Sequence, residues 1–397
     1  MSAPAVPRND VGDPPLIERA QAIAQQVSAR GEEFASAGTL AGDVVEELRT
    51  ARLFAMAMPR ELGGLQTSMT TIAEVIAELA YGDASTAWTA LIGNTAAFLS
   101  WLDPAVARTI VADDRDLVLA GSMAPTGRAT VTDRAYLLNG RWPFASGSRH
   151  ADWMIGGFVV HDGDRPVITA AGTPEMRIGF FPAASATIDP TWDVIGLAGT
   201  GSNDIIAGDL TVAAEYTAVP YAATPAVVSP LTMLSPYNIL MVLFAGVPLG
   251  VARRALDELF SLAGTKRRPG QDGSFRDDPV VSDFAMSAEP ALRAARLLVL
   301  DTFAGTEQRL QKGDDLAPRD RAAVAAVVMH AMRVGRDITA QAYRLGGTTA
   351  TSRTHPLRRC HHDLAAAAQH IAFGTDLRRR VGQSLLGAPP TPALFGV

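Results

Sequence analysis

The residues best equipped for chemistry lie in one mid-chain run, Trp142-Pro-Phe-Ala-Ser-Gly-Ser-Arg-His-Ala-Asp-Trp153, and in a histidine far downstream, His370. Two tryptophans, a phenylalanine and several small residues make a poor solvated loop. They suit a backbone brought close to a large flat ligand. They equally suit a strand and tight turn in a β core, where Trp and Phe bury area and Gly147 turns the chain. A histidine titrates near neutral pH and can move a proton or hold a reacting group; on a helix face it is ordinarily a satisfied structural side chain. His361 and His362 are adjacent, so on a helix they point about 100° apart, a poor pair for one metal. One cysteine, Cys360, excludes an internal disulfide framework and a multi-cysteine metal site. No metal centre is expected.

The elements that must position these residues follow from the patterning. The chain has 397 residues, 48% of them apolar and 19% charged, the make-up of a folded protein with a sizeable core. A net charge of −6 with scattered Lys and Arg leaves no footprint for nucleic acid. No uninterrupted apolar run reaches ~18 residues, so no membrane span is expected, and the Pro-rich start lacks the apolar core of a signal peptide. The expectation is a soluble cytoplasmic protein. Residues 1–15 read as a disordered leader. Helical spacing follows from Leu16 to Leu53, over Thr71–Tyr81 and over Ser85–Trp101, the last apolar almost all round and so buried; Asp103-Pro104 opens another short helix. Past Leu117 the texture turns to short β-rich segments, Ala129–Leu138, Trp153–Val160, Pro166–Ala170 and Ile178–Phe181, with Asn139-Gly140 as a hairpin signal. They read as antiparallel strands of a small barrel or sandwich. Four long helical patterns close the chain: Ile239–Leu262, Pro279–Gln311, Arg319–Arg344 and Pro356–Leu386. The expected organisation is α+β: an N-terminal helical domain (16–115), a middle β domain (116–225) and a C-terminal four-helix bundle (226–397).

Five stretches in this order carry a resemblance. They are Pro59-Arg-Glu-Leu-Gly-Gly64; Tyr81-Gly-Asp-Ala-Ser-Thr-Ala-Trp88; Pro125-Thr-Gly-Arg-Ala129 with Leu138-Asn-Gly-Arg-Trp-Pro-Phe-Ala-Ser-Gly147; Trp192-Asp-Val-Ile-Gly-Leu-Ala-Gly-Thr-Gly-Ser-Asn-Asp204; and Leu345-Gly-Gly347 through Pro356-Leu-Arg-Arg359 and Asp363 to Gln369-His370. Together, over roughly residues 16–390, they resemble the acyl-CoA dehydrogenase fold. Within it they look more like its flavin-dependent monooxygenase branch, the oxygenase components of two-component systems of the 4-hydroxyphenylacetate hydroxylase, dibenzothiophene monooxygenase and sugar N-oxygenase types.

The residues can be asked which branch. An acyl-CoA dehydrogenase removes an α-proton with a glutamate, seated in the family near where His370 and Ile371 fall here, or near Leu240. No carboxylate lies between Asp363 and Asp376, nor between Glu215 and Asp257. Both seats are empty. The resemblance then implies a monooxygenase in which FMNH2 or FADH2, delivered by a separate NAD(P)H:flavin reductase, activates O2 as a flavin C4a-hydroperoxide. The product would be a C- or N-oxygenated small aromatic, heteroaromatic or amino compound. Ser146 matches the family serine at the flavin N5, and Trp142, Phe144 and Ala145 accompany it at the cofactor. His370 falls where the family carries a histidine beside flavin and substrate, as base or peroxide stabiliser. Arg268 in Lys266-Arg-Arg-Pro-Gly270 is the candidate for the flavin phosphate, because a guanidinium takes phosphate bidentately. Gly346 and Gly347 would reach a neighbouring subunit's flavin, which implies a homotetramer. His362 stands where the family usually has Arg. Relatives that oxidise phenols carry a histidine on the buried helix where this chain has Thr95-Ala-Ala97, which leaves Asn94 as the candidate substrate contact. No Gly-rich fingerprint follows a strand, so no nicotinamide site is expected in the chain. The alternatives are an acyl-CoA dehydrogenase-like FAD oxidoreductase and a non-catalytic binding member of the fold.

Overall fold

The computed structural model describes residues 14–111, 117–219, 224–267 and 274–388. Residues 1–13 of the expected leader and Arg268 lie outside them. Pro14 and Pro15 already open a helix, where a missing N–H costs nothing. Among the described residues six α-helices come first: α1 (Pro14–Val27), α2 (Gly31–Ala37), α3 (Gly42–Thr50), α4 (Met69–Gly82), α5 (Ala84–Gly93) and α6 (Pro104–Val111). The helical pattern from Leu16 to Leu53 is cut into three, and Gly38, at a left-handed φ of +62°, makes the second break by ending α2. Ser68 and Asp83 accept the N–H of Thr71 and Thr86 and so cap α4 and α5. The buried helix expected over Ser85–Trp101 is α5 followed by a 3-10 run, Asn94–Trp101. At the change, the Asn94 side chain bonds the Ala90 and Leu53 carbonyls and so competes with the helical ladder.

The middle of the chain is one mixed sheet: β1 (Leu119–Val131), β2 (Ala135–Ala145), β3 (Trp153–Asp162), β4 (Arg165–Pro166), β5 (Met176–Pro182), β6 (Thr187–Asp189), β7 (Asn203–Ala213) and β8 (Thr217–Ala218). The order is β6-β7-β2-β1-β3-β5-β8, with β4 on β3. The sheet does not close into a barrel, and it is not purely antiparallel, since β1 and β3 run parallel. The expected hairpin at Asn139-Gly140 is also displaced. The chain turns at residues 132–134, where Thr132 N–H and hydroxyl both bond the Ala135 carbonyl, and Asn139 instead sits inside β2 at a register shift, paired with Asp209. Between β2 and β3 the segment 146–152 passes the start of β1, where Leu119 pairs with Trp153. This passage carries the mid-chain motif to the helices.

The C-terminal helices are α7 (Pro236–Phe244), α8 (Gly246–Thr265), α9 (Pro279–Gln311), α10 (Pro318–Gly346), α11 (Pro356–Ala367) and α12 (Thr375–Leu385). Proline stands in the first turn of α7, α9, α10 and α11, pre-set for the helical φ. The first expected bundle helix is broken at Ala245, with Pro248 in the new first turn; the last is broken between Ala367 and Thr375. His370 therefore sits in a helix break, not on a helix face. One apolar cluster runs through both helical parts, with Ile72, Leu79, Trp88, Phe244 and Leu256 among its members, and a second fills the sheet around Trp142, Phe158 and Phe181. The stretch Pro236–Thr265, α7 with α8, is apolar and long enough to cross a membrane, but 89% of its apolar 18-residue window is buried in the protein, as befits core helices.

Candidate functional site

The end of β2 decides how the site opens. In an unbroken strand Trp142 and Phe144 would share a face. The β2–β7 register shifts between Trp142 and Ala145, and Phe144 takes a left-handed φ of +63°, a genuine outlier for a bulky residue. Trp142 is fully buried, its Nε1 donates to the Gly157 carbonyl at 2.7 Å, and a Cβ at Gly127 or Gly156 would come within 2.7 Å of its ring. Trp142 is thus a core residue held in a glycine cradle, a correction to its expected place at the cofactor. Phe144 points outward, 69% exposed, edge-on to Trp192 at 6.1 Å, with exposed Ile195 close in sequence. Backbone strain of this kind persists only where the surroundings impose it, and it clusters at ligand sites.

Ala145 and Ser146 follow, both buried. Ser146 Oγ accepts from Trp88 Nε1 (3.1 Å) and lies 2.6 Å from Ser202 Oγ, which lies 2.6 Å from Thr200 Oγ1; Thr200 donates to the Leu197 carbonyl at 2.7 Å. The Trp88 ring meets His370 edge-on at 5.8 Å, and Phe244 packs against both, at 5.1 Å from Trp88 and 4.7 Å from His370. The structure therefore brings Ser146 and His370 together through Trp88, with residues from all three parts of the chain. His370 Nδ1 accepts the Ala372 N–H, so the proton of the neutral ring sits on Nε2. Burial alone lowers its pKa to about 4 and keeps the ring uncharged at neutral pH. Two buried hydroxyls near Ser146, Thr89 Oγ1 and Ser148 Oγ, have no hydrogen-bond partner. A helical Thr can bond the preceding turn's carbonyl; Thr89 does not. Unpaired buried hydroxyls of this kind are costly until a ligand or water reaches them.

Other expected residues are placed differently. Asn94, expected at the substrate, spends both amide hydrogens on the Leu53 and Ala90 carbonyls and its oxygen on the Ala57 N–H. It holds two chain segments together and has no donor left for a ligand. Gly346 and Gly347 end α10, where Lys266 Nζ donates to the Gly346 carbonyl at 2.7 Å, so the basic loop and the glycine pair do meet. His361 stacks on Tyr343 at 4.9 Å. Among the described residues no group of three or more His, Cys, Asp or Glu side chains gathers as metal ligands would. Trp192, Thr200 and Ser202 join the site without being expected there, although all three stand inside the Trp192–Asp204 motif. Asp363, equally unexpected, accepts the Leu197 N–H on Oδ1 at 2.7 Å. Burial, then the charge of Asp83, pushes the Asp363 carboxyl up to about 7.

An outward aromatic pair, a serine hydroxyl at the strand end and partnerless buried hydroxyls suit a flat ring system with polar edges, and a flavin fits that description. The comparisons agree with this geometry. The family model described as the N-terminal domain of acyl-CoA dehydrogenase matches residues 16–102, and that of its C-terminal domain matches residues 242–375. Indole-3-acetate monooxygenase of Pseudomonas putida is 28% identical over 364 residues, 92% of each chain. The oxygenase component of an FADH2-dependent resorcinol hydroxylase from a Rhizobium strain is 25% identical over 94% of this chain and 95% of its own. The crystal structure of 3-HSA hydroxylase from Rhodococcus sp. RHA1 superposes with a TM-score of 0.87 over 95% of this chain and 97% of that one, at 23% identity.

Proposed function

We infer that this chain, which belongs to the acyl-CoA dehydrogenase family through both of its helical parts, is a reduced-flavin-dependent monooxygenase. It is the oxygenase component of a two-component system, supplied with FMNH2 or FADH2 by a separate reductase, and its substrate is a small aromatic compound, as the names of its relatives indicate for theirs. The observation that carries this reading is the Ser146–Trp88–His370 group, in which no charged side chain contributes to the state of His370. An acyl-CoA dehydrogenase needs a carboxylate base there, and the site offers an uncharged ring among aromatics.

When bound, the reduced flavin supplies the electrons that activate O2; the rest is the protein's part. Phe144 with Trp192 offers the apolar platform, and Ser146 a polar contact at the flavin edge. Gly346–Gly347 and the loop beginning at Lys266, with Arg268 beyond it, hold the phosphate end from a neighbouring subunit. His370, neutral with its proton on Nε2, donates a hydrogen bond towards the reacting oxygen; its Nδ1 is taken by the Ala372 N–H, so it is not a free base. Trp88 and Phe244 pack against its ring, with Phe373 packed on Phe244, and make that side of the site apolar. Thr89 and Ser148, rather than Asn94, supply the polar contacts for substrate. The assembly is a homotetramer, a reading supported by apolar side chains left exposed on α9.

Anaerobic stopped-flow tests the reading: protein with FADH2 or FMNH2 is mixed with O2 and the flavin spectrum followed. A long-lived near-ultraviolet band, distinct from reduced and oxidised flavin, is expected. Reoxidation as fast as for free flavin, with no intermediate band, would overturn it.

A further inference from the structure

The hydroxyl chain behind Ser146 has a fixed direction. At one end stands the Trp88 indole, whose Nε1–H can only donate; at the other stands the Leu197 carbonyl, which can only accept. Between them lie three hydroxyls, Ser146, Ser202 and Thr200, joined at 2.6 Å and 2.6 Å. Three hydrogens serve three bonds. Thr200 gives its hydrogen to the Leu197 carbonyl, so Ser202 must give its own to Thr200, and Ser146 its own to Ser202. The Leu197 carbonyl is itself pinned: Trp192 Nε1 donates to it at 3.1 Å, and Leu197 N–H is held by Asp363. Ser146 is left with its hydrogen committed and one lone pair free. Towards any ligand it can act only as an acceptor.

This matters because the two redox forms of a flavin differ at N5. The reduced ring carries an N5–H, a donor; the oxidised ring presents a lone pair there, an acceptor. An acceptor-only Ser146 pairs with the first and opposes the second. We propose that Thr200 and Ser202 lock the proton of Ser146 and thereby make the site select reduced over oxidised flavin. This is what an oxygenase fed by diffusing flavin needs, since product flavin must leave before the next reduced flavin enters. The inference rests on the functional reading above, with Ser146 at the flavin N5.

The test is equilibrium binding, independent of turnover: anaerobic ultrafiltration of FMN, FMNH2, FAD and FADH2 with wild type, Thr200→Val, Ser202→Ala and Thr200→Ser. Thr200→Val leaves Ser202 free to turn back towards Ser146, and Ser202→Ala removes the acceptor for the Ser146 hydrogen. Either change frees that hydrogen to meet an oxidised N5. The ratio of oxidised to reduced Kd is expected to fall on the order of tenfold in both, the size of one hydrogen-bond difference. Thr200→Ser keeps the relay and is expected to keep the wild-type ratio. Thermal melts establish that each variant folds, and either of the two disruptive variants decides the question alone. An unchanged ratio in a folded Ser202→Ala or Thr200→Val overturns the relay. Wild type binding oxidised flavin as tightly as reduced overturns the selectivity and leaves the functional reading standing. Wild type binding neither form overturns both.

Discussion

Asp363 is buried and His370 half-buried, and loss of hydration drives both towards neutrality, so their pKa values move in opposite directions. His370 is lowered from 6.5 to about 4. Below pH ~6.5 the unfolded chain takes up a proton that the folded chain refuses, so stability falls as pH drops from about 6.5 to about 4, by roughly 3 kcal/mol. His370→Gln cannot ionise, and its melting temperature is predicted to fall less than that of wild type between pH 7 and pH 4.5; equal falls would refute the assignment. Asp363 is raised from 3.8 to about 7, so between those values the folded chain holds the extra proton and stability falls as pH rises through the window. Asp363→Asn can still accept the Leu197 N–H and carries no charge beside Asp83. It is predicted to melt above wild type at pH 8, with the gap closing by pH 4. A variant that melts lower at pH 8 would show that the charge itself supports the turn. Much of this site was legible in the sequence at the level of residues: Ser146 and His370 stood in recognisable motifs, and the structure places them around one indole. Trp142 was misplaced because alternation puts it on the same face as Phe144, and only the register shift, which no residue type announces, separates them. Asn94 was the nearest polar group to the position in question, but sequence does not show which backbone groups will consume an amide.

The elements were read most reliably where their signals were local and failed where tertiary pairing intervened. The prolines opening α9, α10 and α11 and the caps of α4 and α5 are local, and those helices begin close to where the spacing put them. Asn139-Gly140 is an equally local hairpin signal, yet the cross-strand pair between Asn139 and Asp209, with Asp209 at a φ of +48°, makes it a bulge. The actual turn at Thr132-Asp133-Arg134 carried its own weaker signal in the threonine and aspartate. The parallel pairing of β1 with β3 had none, since it depends on a connection passing over a neighbouring strand. The glycines of β1, β2 and β3 have a reason specific to this sheet. Gly127, Gly140 and Gly156 converge on the Trp142 ring, and a methyl at Gly156 would stand 2.7 Å from it. Gly156→Ala is therefore predicted to force the indole to shift and to cost about 1–3 kcal/mol. It should also weaken flavin binding, since Trp142 anchors the strand that carries Phe144. Denaturant melts and flavin titration measure the two effects; an unchanged melting midpoint would show that the cradle is looser than its geometry.

At the scale of the whole molecule, the three parts of the chain are held at one point by polar bonds. Asp363 on α11 grips Leu197 of the β part, Leu197 receives the hydroxyl chain that ends on Trp88 of α5, and Tyr237 of α7 donates to the Ala372 carbonyl beside His370. Such bonds specify how the parts meet, whereas the shared apolar core supplies the bulk of the adhesion. Among the described residues, one place where several large apolar side chains stay uncovered is α9. Met286 (67% exposed), Leu297 (53%) and Leu298 (44%) stand in solvent on a 33-residue helix whose other face is buried. Exposed apolar residues are unremarkable singly; several on one helix mark a contact surface. In the proposed homotetramer this helix would pack against its counterparts, and placing charge there would leave buried carboxylates unpaired. The double variant Leu297→Glu, Leu298→Glu is predicted to shift the molar mass in light scattering from four chains to two or one. The chain's own fold should persist, because neither residue belongs to the core. On the proposal that Gly346–Gly347 reach the flavin phosphate across subunits, flavin should then bind at least tenfold more weakly, while a tetramer that survives the two charges would remove α9 from the interface.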